Sequence, residues 1–245
     1  MTGERVAIVT GGGSGLGREI TGGLARAGFA VVVADVDLAA AEESARAAGR
    51  GSVAMRADIR EPEQARGVVD AAVARGGPHV LVNNAGGWTA GGQQYPWAAP
   101  DDWIASIALN LTAPMLLTQL VLEPMRRLGG GAIVTIGSSA GSGEAAYGSP
   151  EYAAAKAGLV RLTTSLSGLD AEHGVRVMCA VPDWIGLERA QTQLAARTPA
   201  DRAATPPLIP PADVVAVVLD LISTGRGGTV VELWGGQEPI TRHPG

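Results

Sequence analysis

Little in this 245-residue chain is available for crosslinking, metal binding or electrostatic docking. With one cysteine, Cys179, no internal disulfide can form, and a reducing, cytoplasmic setting is expected. The three histidines, His79, His173 and His243, are scattered and lack metal-ligand spacing. The formal net charge is −5 and no block of like charge occurs, which argues against a nucleic-acid partner. No uninterrupted apolar run approaches the roughly 20 residues that span a bilayer. The first apolar stretch, Val6–Val9, is too short for a signal segment and runs into glycines. A soluble protein with no membrane partner is therefore expected. Aromatic residues make up only 4% of the chain. Lysine is scarcer still: of 19 basic residues 18 are arginine, and Lys156 is the single exception.

Apolar material is nevertheless ample, at 46% of residues, supplied mainly by Ala, Val and Leu. Small side chains let helices lie close to a sheet. Short Val/Ile-rich runs predict strands at Val6–Val9, Ala30–Ala34, Ser52–Arg56, Val80–Asn83, Ala132–Ile136, Val175–Val181 and Thr229–Leu233. These runs do not alternate polar with apolar, the pattern of parallel strands buried on both faces. Between them, helices are predicted over Gly17–Ala27, Ala39–Ala48, Pro62–Arg75, Asp101–Leu128, Tyr152–His173 and Pro211–Ser223. Gly28, Gly49 and Gly76 follow three of these as caps, and Pro62 and Pro211 suit a first turn. Strand–helix alternation implies an α/β fold, a doubly wound parallel sheet of about seven strands with helices on both faces. No composition break or repeat divides the chain, so one Rossmann-type domain over 1–245 is expected. The Pro-rich patch Thr205–Pro211 reads as a surface loop or lid, within a substrate loop at about 186–210.

Three signals carry chemistry. The first is Thr10-Gly11-Gly12-Gly13-Ser14-Gly15-Leu16-Gly17, which follows a buried strand and opens a helix. Glycines let the backbone turn tightly and approach a pyrophosphate, whose charge suits a helix N-terminus. Gly11, Ser14, Gly15, Leu16 and Gly17 are the candidate contacts, against a plain βα turn with no ligand. The second is Asp35 at the end of the second strand, where a carboxylate can accept bonds from both adenosine ribose hydroxyls and repel a 2′-phosphate. NAD is therefore expected over NADP, although Asp35 or the nearby Asp37 could instead cap a helix. The third is Tyr152 with Lys156, four apart on one helical face. A free phenol titrates near pH 10, too high for a base at neutral pH, and an adjacent ammonium should lower that value. A chain that uses arginine everywhere else has kept one compact ammonium one turn from a tyrosine.

With these motifs in hand, the chain resembles the short-chain dehydrogenase/reductase family from about Arg5 to Gly236. The residues carrying the resemblance are Thr10–Gly17, Asp58-Ile59 after the third strand, Asn83-Asn84-Ala85-Gly86 after the fourth, Asn110, Ser138, and the Tyr152/Lys156 pair. The resemblance implies catalytic roles for Asn110, Ser138, Tyr152 and Lys156. Tyr152 would exchange the proton of an alcohol or ketone, and Ser138 would hold the substrate oxygen. Lys156 would bind the nicotinamide ribose, and Asn110 would anchor a water linking Lys156 to solvent. Asp58 and the Ile59 backbone would meet the adenine, while Asn84, Ala85 and Gly86 pass beneath its ribose. Ile185 would reach the carboxamide through its backbone. Ser138 is preferred over Ser139 because it begins the S-x-x-G pattern Ser138–Gly141. Tyr147 has Glu151, not a lysine, four residues on, and reads as a cleft-lining loop residue.

The resemblance is interrupted after the sixth strand, where the family usually has glycine and this chain has Asp183, and where Leu187 replaces a common threonine. Two functions therefore stay open: an NAD(H)-dependent oxidoreductase acting on a secondary alcohol or ketone, and a non-catalytic nucleotide-binding relative acting as sensor or interaction protein. The substrate cleft is expected from Gly87–Pro100, Gly141–Glu151 and Gly186–Pro210. Its walls would come from Trp88, Trp97, Tyr147 and Trp184, each of which could equally pack beneath a loop. Arg189, Arg197 and Arg202 could meet an acidic substrate or form a solvated face. The resemblance further implies a homotetramer assembled through the long helices and the last strand.

Overall fold

Strands that are apolar on both sides need cover on both sides, and that requirement organises the chain. The computed structural model describes residues 4–87, 92–143 and 146–244; Trp88 lies outside them. In chain order the elements are β1 (Arg5–Thr10), α1 (Gly15–Arg26), β2 (Phe29–Asp35), α2 (Leu38–Ala48), β3 (Val53–Arg56), α3 (Pro62–Val73) and β4 (Val80–Asn83). There follow α4 (Pro100–Ile107), a π-helical turn (Ala108–Thr112), α5 (Ala113–Arg127), β5 (Gly131–Ile136), a 3-10 turn (Ser139–Gly141) and α6 (Pro150–Ser165). The chain continues with α7 (Leu169–His173), β6 (Val175–Pro182), α8 (Glu188–Ala195), α9 (Pro199–Ala204), α10 (Pro211–Thr224), β7 (Val230–Leu233) and β8 (Ile240–Arg242).

The strands form one sheet in the order β3-β2-β1-β4-β5-β6-β7-β8. All neighbours are parallel except the last pair, in which Val230 faces Arg242 and Glu232 faces Ile240 in antiparallel register. The sheet thus has eight strands, where seven were expected. The eighth is fully exposed and carries no buried apolar run, so it left no signature in the sequence.

Alternation along β1 shows how both faces are filled. Ala7 and Val9 join a cluster with Leu16, Ile20 and Leu24 of α1 and Val214, Val218 and Leu221 of α10. Val6 and Ile8 join the opposite one with Val68 and Ala72 of α3 and Leu117, Val121 and Met125 of α5. At about 25 cal/mol per Å² of apolar surface removed from water, these two layers dominate the stability of the sheet.

Two long helices predicted from the sequence are subdivided. The stretch predicted over Asp101–Leu128 contains the π-helical turn just before Pro114, a residue that cannot donate a backbone bond one turn back. The stretch predicted over Tyr152–His173 pauses after Ser165 and resumes at Leu169, ending on Gly174 in the left-handed conformation. By length and hydropathy the run Pro100–Arg127 could cross a membrane. Its inner face is instead committed to the sheet, with Ala113, Leu117, Val121 and Met125 buried. The expected loop at 186–210 contains α8 and α9, short helices in which Ala190 alone is buried.

Candidate functional site

The strand order reverses between β1 and β4, which opens a crevice at the carboxyl ends of the strands, the general location of ligand sites in such sheets. A cleft of about 520 Å³ lies there, and its walls bring together the expected Gly11, Ser14–Gly17, Asp35, Asp58, Ile59 and Asn84–Gly86.

The glycine turn is shaped by close backbone contact. Gly11 has φ +62°, and a Cβ there would stand 2.9 Å from the Cα of Ala85. A Cβ on Gly17 would stand 2.0 Å from the Gly11 carbonyl oxygen, a distance no side chain can occupy. Asn84 closes the other wall, its amide donating to the carbonyls of Thr10 and Gly11 at 2.9 and 3.2 Å. Above this cradle α1 begins at Ser14 with no side-chain cap and no acidic residue in its first turn. Its leading amides are therefore open to an anion. The alternative capping roles also resolve: Asp37 caps α2 through the amide of Ala40 at 3.1 Å, and Asp35 does not. Asp35 instead accepts the Gly13 amide on one oxygen at 2.9 Å and the Asp37 amide on the other at 3.1 Å, and it lines the cleft. A carboxylate has lone pairs left on both oxygens after two such bonds.

Asp58 carries a partner that the sequence reading did not single out. Arg60 donates to both of its oxygens, at 2.9 and 2.6 Å, and holds its carboxyl below the ordinary range. The Asp-x-Arg spacing was visible; that its guanidinium would fold back over the cleft was not. Val36, exposed beside Asp35, also lines this end, with nothing in the sequence to mark it.

The reactive end is built from four elements. Tyr152 and Lys156, one turn apart on α6, both point inward and are 9% and 4% exposed. The Lys156 ammonium lies 5.6 Å from the centre of the Tyr152 ring. Its hydrogen bond goes to the Ile136 carbonyl at 2.8 Å, at the end of β5. Burial pushes the phenol of Tyr152 above its ordinary value; a hydrogen bond with Ser138 opposes this, Tyr147 adds to it, and the charge of Arg189 opposes it. Burial brings Lys156 down to about 8, against a small opposing pull from Cys179. The expectation that this ammonium lowers the phenol is therefore corrected. Desolvation wins on both groups, and the ammonium addresses a carbonyl instead.

Asn110 sits fully buried in the π-helical turn. Its side-chain amide donates to the carbonyls of Gly87 and Ser106 and accepts the amide of Gly87, each at 2.9 Å. Pro114 stands four residues on, so the Asn110 carbonyl has no ordinary helical donor. Gly86 lies between the two groups: a Cβ there would be 2.7 Å from Asn110 Oδ1 and 3.3 Å from Lys156 Nζ. Of the two adjacent serines, Ser138 bonds Tyr152, whereas Ser139 donates to Asp183 at 2.5 Å. Asp183 is thereby turned toward the Ser139–Gly141 turn. Ile185 bridges to Ile209 through the Trp184 carbonyl and Gly186 amide, which leaves its own amide outside that ladder. Leu187 lines the cleft ahead of α8, and its side chain supplies contact but no hydrogen bond.

The short chain dehydrogenase family model matches residues 5–198 of the chain. The chain belongs to the short-chain dehydrogenase family. It is 37% identical over 209 residues to the cis-4-hydroxycyclohexanecarboxylate dehydrogenase of Sinomonas cyclohexanicum, covering 82% of this chain and 80% of that one. It is 34% identical to the (3R)-3-hydroxyacyl-CoA dehydrogenase of Homo sapiens, covering 94% of each. Among solved structures, a 7α-hydroxysteroid dehydrogenase complexed with NADH and 7-oxoglycochenodeoxycholic acid matches with TM-score 0.84 at 30% identity, over 96% of this chain and 94% of that one. Membership of a nicotinamide-dependent oxidoreductase family agrees with the cleft, since the glycine cradle, the uncapped helix and the carboxylate on β2 suit pyrophosphate and ribose.

Other expected cleft residues of this short-chain dehydrogenase have structural partners. Arg197 lies 4.5 Å from the Trp184 ring centre and donates to Thr205, and Arg202 donates to the carbonyls of Ala195 and Arg197. These two arginines knit α8 to α9. Trp184 accordingly packs beneath the loop. Trp97 is 78% exposed.

Proposed function

We propose that the protein is an NAD(H)-dependent dehydrogenase that interconverts a secondary alcohol and its ketone. The observation that carries this reading is the convergence of Ser138, Tyr152 and Lys156 beside a glycine-cradled cleft. In this reading Gly11, Ser14, Gly15, Leu16 and Gly17 hold the pyrophosphate, Asp35 the adenosine ribose, Asp58 and Ile59 the adenine, and Asn84, Ala85 and Gly86 the cleft floor. Ile185 meets the carboxamide through its amide. The nicotinamide supplies the hydride donor or acceptor. NAD is favoured over NADP because Asp35 repels a 2′-phosphate and the next residue, Val36, offers it no donor. The neighbouring steroid dehydrogenase complexed with NADH supports the same choice.

Ser138 fixes the substrate oxygen, which aligns the reacting carbon. Tyr152, whose phenol burial keeps protonated at neutral pH, gives its proton to a ketone oxygen during reduction. Oxidation needs the phenolate and should therefore quicken as pH rises. Lys156 holds the nicotinamide ribose, and Asn110 keeps its carbonyl open for a water that joins Lys156 to solvent. Cys179, buried in β6 and pushed up to about 12, takes no part and stays inert in a reducing cytoplasm. The apolar side chains of Ile104 and Met115, exposed along α4 and α5, suit a homotetramer of the kind the family resemblance implies.

The test is NADH formation across a panel of secondary alcohols. Turnover that disappears in Tyr152→Phe, with NAD binding kept, is the expected result. Tight NAD binding without turnover of any substrate would favour the non-catalytic sensor.

A further inference from the structure

The mechanism above leaves one aromatic group unused. Tyr147 lies in the loop between β5 and α6, and its ring stacks on that of Tyr152 with centres 5.9 Å apart and planes inclined by 28°. Offset stacking of this kind is a preferred aromatic arrangement. The two rings differ in exposure, 39% for Tyr147 against 9% for Tyr152. One ring therefore shields the other and presents its remaining surface to solvent.

The groups facing this pair come from every element around it. Ser138 approaches from the turn after β5, and Lys156 from the next turn of α6. The charge of Asp183, at the end of β6, acts on Tyr147, and that of Arg189, in the first turn of α8, acts on both rings. Glu151, although adjacent in sequence, is turned away: it accepts from Ser149 and from the amide of Tyr95. Polar and charged groups from several elements thus act on the pair, and the phenol of Tyr152 has Ser138 as its hydrogen-bonding neighbour.

We propose that Tyr147 is a positioning residue for the reaction, a ring laid over Tyr152 that keeps water from its phenol and leaves the substrate oxygen the Ser138 side for approach. The proposal rests on Tyr152 being the acid/base. Water at an uncovered phenol would compete with the substrate oxygen for the same proton and would stabilise the phenolate.

Tyr147→Phe keeps the ring and Tyr147→Ala removes it. Because the chain has three tyrosines, ionisation of Tyr152 can be followed by NMR at 13C-labelled tyrosine Cζ, with Tyr152→Phe assigning the signal. The Tyr152 midpoint should fall in Tyr147→Ala relative to Tyr147→Phe. With an active substrate, kcat should drop about tenfold in the alanine variant and stay near the parent in the phenylalanine variant. The alkaline rise of the oxidation rate should move down in pH together with the NMR midpoint. Identical midpoints in the two variants would overturn the proposal. The titration needs no substrate, so its outcome is separate from the hydride-transfer reading, which Tyr152→Phe tests alone.

Discussion

Replacing Lys156 with methionine keeps the length and apolar stem of the side chain and removes its charge. In the folded chain this ammonium is buried, has one hydrogen bond among the described residues, and titrates at about 8 instead of 10.5. The unfolded chain returns it to water and to the ordinary value. Between about pH 8 and pH 10.5 the unfolded chain thus holds a proton that the folded chain has released, and stability from this group rises with pH. A fall of about 2.5 at 1.36 kcal/mol per pH unit corresponds to about 3 kcal/mol of destabilisation, present below pH 8 and gone above 10.5. The buried thiol of Cys179 works the other way: pushed from 9.0 up to about 12 against a lowering pull from Lys156, it makes stability fall as pH rises, and because the folded thiol stays protonated up to pH 10.5 with or without that pull, the fall cancels between parent and variant. The informative quantity is therefore the difference between the urea-unfolding free energies of variant and parent, measured from pH 7 to 10.5. The stability of Lys156→Met relative to the parent should shrink by about 3 kcal/mol across that range. No other lysine exists to blur the comparison. A difference independent of pH would refute the reasoning, because the ammonium would then have to be solvated or ion-paired in the folded protein. The same variant should lose turnover, a common exchange of activity for stability at a site residue.

The partners of other residues give further expectations. Arg176 donates to the carbonyls of Leu221, Ile222 and Gly225, closing the end of α10, which has no basic residue of its own in its last turn. Arg176→Ala should cost about 2 kcal/mol, read as a lowered denaturation midpoint, with part recovered in Arg176→Lys. An unchanged midpoint would show that water caps the helix equally well. Asp35→Ala should weaken NAD binding about tenfold or more and narrow its advantage over NADP, measured by titration of both cofactors. The loss of the Gly13 bond adds to the effect on NAD. Equal affinities in the parent would remove the ribose role from Asp35.

The sequence made the buried layers legible because their physics is local and repetitive. Seven short apolar runs that do not alternate read as strands covered on both faces; the structure places each of them within a residue or two, with β3 only partly buried at the sheet edge. β8 escaped because an exposed edge strand needs no apolar residues; α8 and α9 escaped because they are short and bury only Ala190 between them. In the cleft, the glycines were legible from crowding that only a missing Cβ permits. Side-chain pairings, near or far, were not. Residue spacing does not show that Ser139 would hold Asp183, that Arg60 would fold onto Asp58, or that two tyrosines five apart would stack. The effect of Lys156 on Tyr152 was not legible for a related reason. Spacing shows that two side chains share a helix face, but not how deeply they are buried, and burial decides the direction in which both titrate.

In the function proposed here the cleft delivers a nicotinamide to Tyr152, past Asp183 and Leu187. A crystal structure of the protein with NAD tests this most directly. The adenosine ribose is expected on Asp35, Lys156 Nζ on the nicotinamide ribose, and the nicotinamide ring beside Tyr152, with Asp183 still held by Ser139. A dinucleotide bound through its adenosine half alone, with Asp183 or Leu187 filling the space at Tyr152, would contradict it.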